Sequence, residues 1–226
     1  MGADVRFDYA LVASKLPDIF HALGVTLFVW IVSLIGAAVL GFFVAVARRY
    51  GPRWLDLALA AYVEVFRGTP FLIQLFLLYF GGPYAGLSLD AIPAGLLGLS
   101  VYGAAYFSEI FRAGFEAVPR GHVEAGECLG LSRAEIVGRI LLPEMTMLVL
   151  PATVNMAIIL MKETAVLSVV TVPELTLTIS VIGTEFYAFV ECLFLLALFY
   201  WGLTEICGWL GRIAEARLSR FRFAAA

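Results

Sequence analysis

Charged side chains stand inside stretches of this sequence that are otherwise apolar: Glu64, Arg67, Glu109, Lys162, Glu163, Glu191 and Glu205, with Arg112 at the edge of one. A charge near the centre of a bilayer costs about 2.5–3.5 kcal/mol on insertion scales, so such groups face a bundle interior or a cavity. Two kinds of chemistry are open to them. They can bind a charged solute, or they can neutralise one another. Glu64 and Arg67 stand i,i+3 on one helical face, as do Glu109 and Arg112, so each pair can close on itself. Lys162 and Glu163 point about 100° apart on a helix and are expected to bond other helices. Glu191 and Glu205 read as interhelical hydrogen-bonding groups.

Other chemistries lack their residues. Cys128, Cys192 and Cys207 make no CxxC or zinc-type spacing and read as small packing residues. His21 and His122 sit alone, so no metal site is expected. No serine–histidine or histidine–aspartate set converges, which argues against a membrane-embedded hydrolase. A G-x-x-x-x-G-K-[ST] phosphate loop is also missing, so the chain is not itself an ATPase. The absence of an inverted repeat weakens a secondary transporter, and there is no filter loop of the kind a channel needs.

The elements that hold these charges must lie in lipid. The chain has 226 residues, of which 62% are hydrophobic and 15% charged. Soluble domains carry about 25% charged residues. At about 20 residues per crossing there is room for five or six helices in one integral membrane domain. The clear spans are 24–47, about 57–80 (interrupted by Glu64, Arg67 and Pro70), about 91–111, Pro143 to Lys162, and 186 to about 210. Thr164 to Thr184 is apolar but cut by Pro173, Glu174 and Gly183, and is expected to be a re-entrant or gating segment. Residues 1–20 show no cleavable signal and read as an extracytoplasmic N-terminal segment; 211–226 read as a cytoplasmic tail. Arg48, Arg49, Arg53, Arg112, Arg120, Arg133, Arg139 and the tail arginines fall on one side of such a fold. The positive-inside rule makes that side the cytoplasm. The expected fold is therefore all-α, with five transmembrane helices, the N-terminus outside and the C-terminus inside.

Between the third and fourth spans lies a charged island, Pro119 to Pro143. Arg120 to Leu129 contain good helix formers, and Gly130 supplies a residue that adopts the left-handed conformation ending a helix. Ser132-Arg133-Ala134-Glu135 matches a capping box, so a second helix starts at once. Pro143 stands where a first helical turn tolerates a missing N–H. The product is a rigid helix–turn–helix projecting from the membrane. An amphipathic pair lying on the bilayer would account for the helices, but not for Glu124, Glu127 and Glu135 facing an anionic leaflet.

This island resembles the EAA loop of ABC-importer membrane subunits. Glu124, Ala125, Gly126, Gly130, Ile140, Leu142 and Pro143 occupy the recurring positions, and Gly126 replaces the usual Ala. Phe66-Arg67-Gly68-Thr69-Pro70 through Gln74 to Tyr79-Phe80-Gly81 is similar to the polar amino-acid branch, the histidine/glutamate/glutamine/arginine group. So are Ser108-Glu109-Ile110-Phe111-Arg112 through Gly121, and Lys162-Glu163-Thr164-Ala165-Val166. His122 stands where a Gln is usual.

The resemblance implies a type I importer transmembrane domain in a bacterial cytoplasmic membrane. Its partners would be a cytoplasmic ATPase dimer, an extracytoplasmic amino-acid-binding protein and a second copy or a paralogous permease. No nucleic acid is expected. ATP and Mg would belong to the ATPase subunits, with no cofactor on this chain. Gly121, Glu124, Ala125, Gly126, Gly130, Leu142 and Pro143 would couple to the ATPase. An amino acid's carboxylate and ammonium both need partners on leaving water. Arg67 is expected to take the carboxylate, beside backbone carbonyls freed by Pro70. Thr69, Gln74 and the Glu109 or Glu163 carboxylates are available to the ammonium or side chain, and Lys162 and Thr164 complete the expected path. A structural Glu64–Arg67 pair is the competing use of Arg67.

Overall fold

A computed structural model describes residues 9–223, with side chains from 11 to 218, and the regular elements among them are helical. The first helix, α1 (Tyr9–Tyr50), begins well before the expected span and runs through Pro17 without a break. Of the outer segment expected at 1–20, residues 1–8 lie outside the described residues, and residues 9–20 are already part of α1. Pro52 stops the helix; its own carbonyl then opens α2 (Arg53–Gly68) by accepting Leu55 N–H.

The second expected span is not a straight crossing. The chain breaks at Thr69-Pro70 and resumes as α3 (Phe71–Phe76), a π turn (Leu77–Gly81) and a 3₁₀ turn (Gly82–Ala85), bent by 110° from α2. Pro70 has no N–H to give to Phe66, four residues back. The Gln74 side chain fills that role, donating Nε2–H to the Phe66 carbonyl at 2.9 Å and to the Thr69 carbonyl at 3.1 Å. The carbonyls expected to open toward a cavity are therefore already occupied.

Gly86, at φ 81, turns the chain toward α4 (Ala91–Ala117). This helix packs along α1 through small residues that let the two backbones approach closely, as lipid-embedded helices require. A Cβ on Gly41 would lie 2.9 Å from the Ala104 carbonyl, and one on Gly103 would lie 2.7 Å from Ala37. Val29, Leu99, Phe107, Leu160 and Leu167 close the core around this crossing.

The charged island forms α5 (Arg120–Cys128) and α6 (Arg133–Ile136), and α6 continues through a π turn (Val137–Leu141) into α7 (Leu142–Glu163). The expected second loop helix is thus the foot of a membrane helix. The π turn sits where Pro143 removes a backbone donor, with Leu142 N–H reaching back to Val137. After α7 come a 3₁₀ stretch (Thr164–Val170), α8 (Leu175–Glu185) and α9 (Phe189–Phe223).

Within 164–184 the chain is buried in protein: Thr164, Leu167, Val172, Glu174, Leu175 and Ile179 are inaccessible. Glu174 caps α8 by accepting Thr176 N–H and Leu177 N–H, both at 2.8 Å, and it also accepts the Tyr200 hydroxyl of α9 at 3.1 Å. Among the described residues, α1, α4, the rod from Arg133 to Val170 and α9 are long and apolar enough to cross a membrane. A fifth crossing requires the bent α2–α3 pair to count as one.

Candidate functional site

Glu109, on the last third of α4, gathers three arginines. Its Oε1 accepts from Arg48 Nη1 of α1 at 2.5 Å, and its Oε2 accepts from Arg112 Nη2 at 2.8 Å. Arg67 Nη1, in the last turn of α2, lies 3.9 Å from Oε2. The chain of charges extends at both ends, through Arg48 to Asp56 at 3.2 Å and through Arg112 to Glu116 at 2.9 Å. Asp56 lies in the first turn of α2 and Arg67 in its last. Side chains from both ends of α2 thus reach the cluster, Asp56 through Arg48 and Arg67 directly.

Of the two pairs expected from i,i+3 spacing, Glu109–Arg112 forms. Arg67 turns instead toward α4, where its guanidinium carbon lies 5.4 Å from the centre of the Tyr106 ring. It is the least committed cation of the group, half-exposed and, among the described residues, with no acid closer than 3.9 Å.

Arg67, Tyr106, Glu109 and Arg112 line one side of an open cavity of 570 Å³; α7 supplies the other wall with Val149, Asn155 and Ile159. Ligand sites typically enclose about 300–1,000 Å³ of mostly apolar wall with a few placed polar groups. Tyr106 also passes the surface onward, because its hydroxyl accepts from Tyr102 at 3.3 Å.

The other expected path residues are distributed elsewhere. Thr69 and Gln74 line a separate apolar cavity of 510 Å³ in the crook between α2 and α3. Gln74 holds the helix break there, and its Oε1 is buried without a partner among the described residues. Thr164 is fully buried and donates to the Met161 carbonyl at 2.6 Å. Lys162 is exposed and Glu163 half-buried at the end of α7, and neither forms an ion pair among the described residues. Asn155 and Tyr106 are not among the residues that sequence reasoning singles out. The signal for Asn155 is a lone amide in the apolar run Ala152–Leu160; Tyr106 looks like any other aromatic in a lipid-exposed helix.

The charged loop has the geometry its residues imply. Gly130 has φ 76, and a Cβ added there would meet nothing within 4 Å, so backbone conformation alone demands glycine. Ser132 and Glu135 exchange both halves of the capping box. Gly126 faces inward, where a Cβ would lie 2.8 Å from Ile140 Cδ1 and 3.2 Å from Ile136 Cγ1. Its small size serves the packing of α5 on α6 and the π turn. Gly121, Glu124 and Ala125 are exposed, and Leu129 shows 80% of its surface. Leu142 and Pro143 form the first turn of α7. His122 Nδ1 lies 2.8 Å from both oxygens of Glu144, which ties α5 to that turn.

Residues 37–220 match the family described as binding-protein-dependent transport system inner membrane component. The chain is similar to the probable amino-acid ABC transporter permease protein YckA of Bacillus subtilis (strain 168), 33% identical over 95% of both chains. It is 32% identical to the arginine transport system permease protein ArtQ of the same organism, over 95% of this chain and 98% of that one. The putative glutamine transport system permease protein GlnP of Rickettsia felis is also 32% identical, over 90% of this chain and 94% of its own. In structure the chain superposes on a crystal structure of an amino acid ABC transporter with histidines at TM-score 0.87 and 30% identity, covering 94% of this chain and all of that one. An inward-facing form of the MetNI methionine ABC transporter shares the fold at TM-score 0.73 and 21% identity, covering 91% of this chain and 98% of that one. The long apolar helices, the protruding helical loop and these matches agree: the chain belongs to the binding-protein-dependent transport system inner membrane component family, as a multi-pass permease subunit that is not itself catalytic.

Proposed function

We propose that this permease carries a polar amino acid across the membrane by way of the cavity between α4 and α7. The observation that carries the reading is Arg67, a half-exposed guanidinium facing 570 Å³ of space with no close acid of its own among the described residues. The substrate carboxylate pairs with Arg67. The Glu109 and Glu163 carboxylates are the candidates for its ammonium; Glu109 lines the cavity itself, and Glu163 stands at the end of α7. The relatives named for amino acids, arginine and glutamine support this class of cargo.

In this reading the bent α2–α3 pair makes the fifth crossing, with the N-terminus outside and the C-terminus in the cytoplasm. The loop 119–143 seats in a cytoplasmic ATPase dimer that holds ATP and Mg, with Glu124, Ala125 and Leu129 outward. An extracytoplasmic amino-acid-binding protein delivers the substrate, and a second copy or paralogous permease completes the pathway. The test is reconstitution of the permease with its ATPase in liposomes, adding the binding protein and a radiolabelled amino acid. ATP-dependent uptake supports the reading. Uptake that proceeds without ATP on an ion gradient would make this chain a different kind of transporter.

A further inference from the structure

Two opposite charges stand on the exposed face of the bundle. Lys162, in the last turn of α7, and Glu205, in α9, are both exposed, and neither makes a hydrogen bond or an ion pair among the described residues. Both belong to helices long and apolar enough to cross a membrane, where a charge facing lipid is costly and calls for an opposite charge or a cavity. Their neighbours do not supply it. Glu163 follows Lys162 but points about 100° away on the helix, and Arg212, two turns beyond Glu205, reaches back only as far as Gly208.

Each charge lies on a stripe of exposed residues seven apart. On α7 the stripe is Leu148, Asn155 and Lys162; on α9 it is Leu198, Glu205 and Arg212, with Trp201 and Trp209 beside it. Seven-residue spacing keeps side chains on one face, as in the seam of a coiled coil. The two helices run antiparallel: Gly211 of α9 meets Val154 of α7 with no room for a Cβ, while Tyr200, nearer the start of α9, bonds Glu174 beyond the end of α7. Counting from the Gly211–Val154 contact, Lys162 stands about 12 Å and Glu205 about 9 Å in the same direction, within about 3 Å of one depth. Lys162 is turned about 80° and Glu205 about 120° from the contact line, and because the helices run in opposite directions both rotations lead to the same side of the pair.

A face that carries a lysine and a glutamate side by side at one depth is complementary to itself. Two copies inserted in a membrane the same way are related by a two-fold axis along its normal, which preserves depth and sets α7 of each opposite α9 of the other. We infer that this face is the contact between two copies of the chain, with Lys162 of each paired to the partner's Glu205. The same register brings Arg212 within about 3 Å of the depth of the partner's Asn155, whose amide oxygen can accept from it. The pairing rests on the second copy in the proposed function, commits to a like copy over a paralogue, and gives Lys162 a use outside the substrate path.

Charge reversal on separate copies tests it. Permease bearing two different affinity tags is co-expressed with its ATPase, and the fraction of purified complex that carries both tags is measured. Wild-type copies should mix at random, with about half of the pairs carrying both tags. Copies with Lys162→Glu alone meet like charges at both contacts of a self-pair, and so do copies with Glu205→Lys alone. Co-expressed on different tags, the two regain both ion pairs only in the mixed pair, so mixed complexes should rise above about nine-tenths. A pairing within one chain would give no such preference. If wild-type copies co-purify and the reversed copies still mix at random, the face is not the contact, although the second copy stands. If wild-type copies never co-purify, the pairing falls with the second-copy reading beneath it. Should the reversed chains not accumulate, disulfide trapping decides. With Cys128, Cys192 and Cys207 replaced by serine, oxidation should join a copy carrying Lys162→Cys to a copy carrying Glu205→Cys. Co-purifying copies that fail to cross-link would overturn the pairing.

Discussion

Arg67 reaches across from α2 to Glu109 on α4, at 3.9 Å, and not back to Glu64 one turn earlier on its own helix. Local spacing offered the nearer acid, but the bend at Pro70 and the Tyr106 ring turn the guanidinium toward the cavity. This relationship makes Glu109 the structural anchor of the charge cluster and leaves Arg67 available to a solute.

The two acids should therefore differ sharply in what they hold. Glu109→Gln strips a carboxylate from two close arginines and is expected to cost about 1–2 kcal/mol, between the values for an exposed and a buried ion pair. Glu64→Gln should stay within about 0.5 kcal/mol of wild type, as surface substitutions do. Thermal unfolding of the detergent-solubilised complex compares them. Equal destabilisation by both would restore the Glu64–Arg67 pair.

On the proposed reading, coupling depends on the bend at Gly130. Gly130→Val meets no steric obstacle but forces a β-branched residue to φ 76, at a cost of roughly 1–2 kcal/mol. The complex should assemble while binding-protein-stimulated ATP hydrolysis and uptake fall together. Full stimulation in a normally assembled variant would show that the bend has no part in coupling.

A second strut is the His122–Glu144 contact. His122→Gln keeps a donor within reach of Glu144 and should preserve stimulated ATP hydrolysis, whereas His122→Ala cuts α5 loose from α7 and should lower it several-fold. Equal activity in the two variants would mean that α5 is held by the Gly126 packing alone.

Orientation is open to labelling. In a background with Cys128, Cys192 and Cys207 replaced by serine, Ser88→Cys should react with a membrane-impermeant thiol reagent in intact cells, and Arg53→Cys only after permeabilisation. The reverse pattern would invert the proposed topology.

Much of this is legible from the residues, for physical reasons. The bodies of α1, α4, α7 and α9 follow from predominantly apolar runs long enough to cross a bilayer, and the Gly130 turn and Ser132–Glu135 cap follow from local backbone chemistry. What depends on contacts between distant segments is not legible. The 110° bend needs Gln74 to occupy the Phe66 carbonyl, eight residues away. The choice of Glu109 over Glu64 needs α4 beside α2. The inward face of Gly126 is set by Ile136 and Ile140, so its small size reads as a docking feature until those side chains are placed. Asn155 becomes a candidate only with α7 set opposite Arg67.

On the proposed reading, substrate passage turns on Arg67. In proteoliposomes containing the permease, its ATPase and the binding protein, Arg67→Gln should cut ATP-driven amino-acid uptake by at least about tenfold, the loss expected when a charge-assisted hydrogen bond to the carboxylate disappears. Assembly and thermal stability should stay close to wild type, because Glu109 retains Arg48 and Arg112. Wild-type uptake in the assembled Arg67→Gln complex would contradict the claim that the substrate passes this guanidinium.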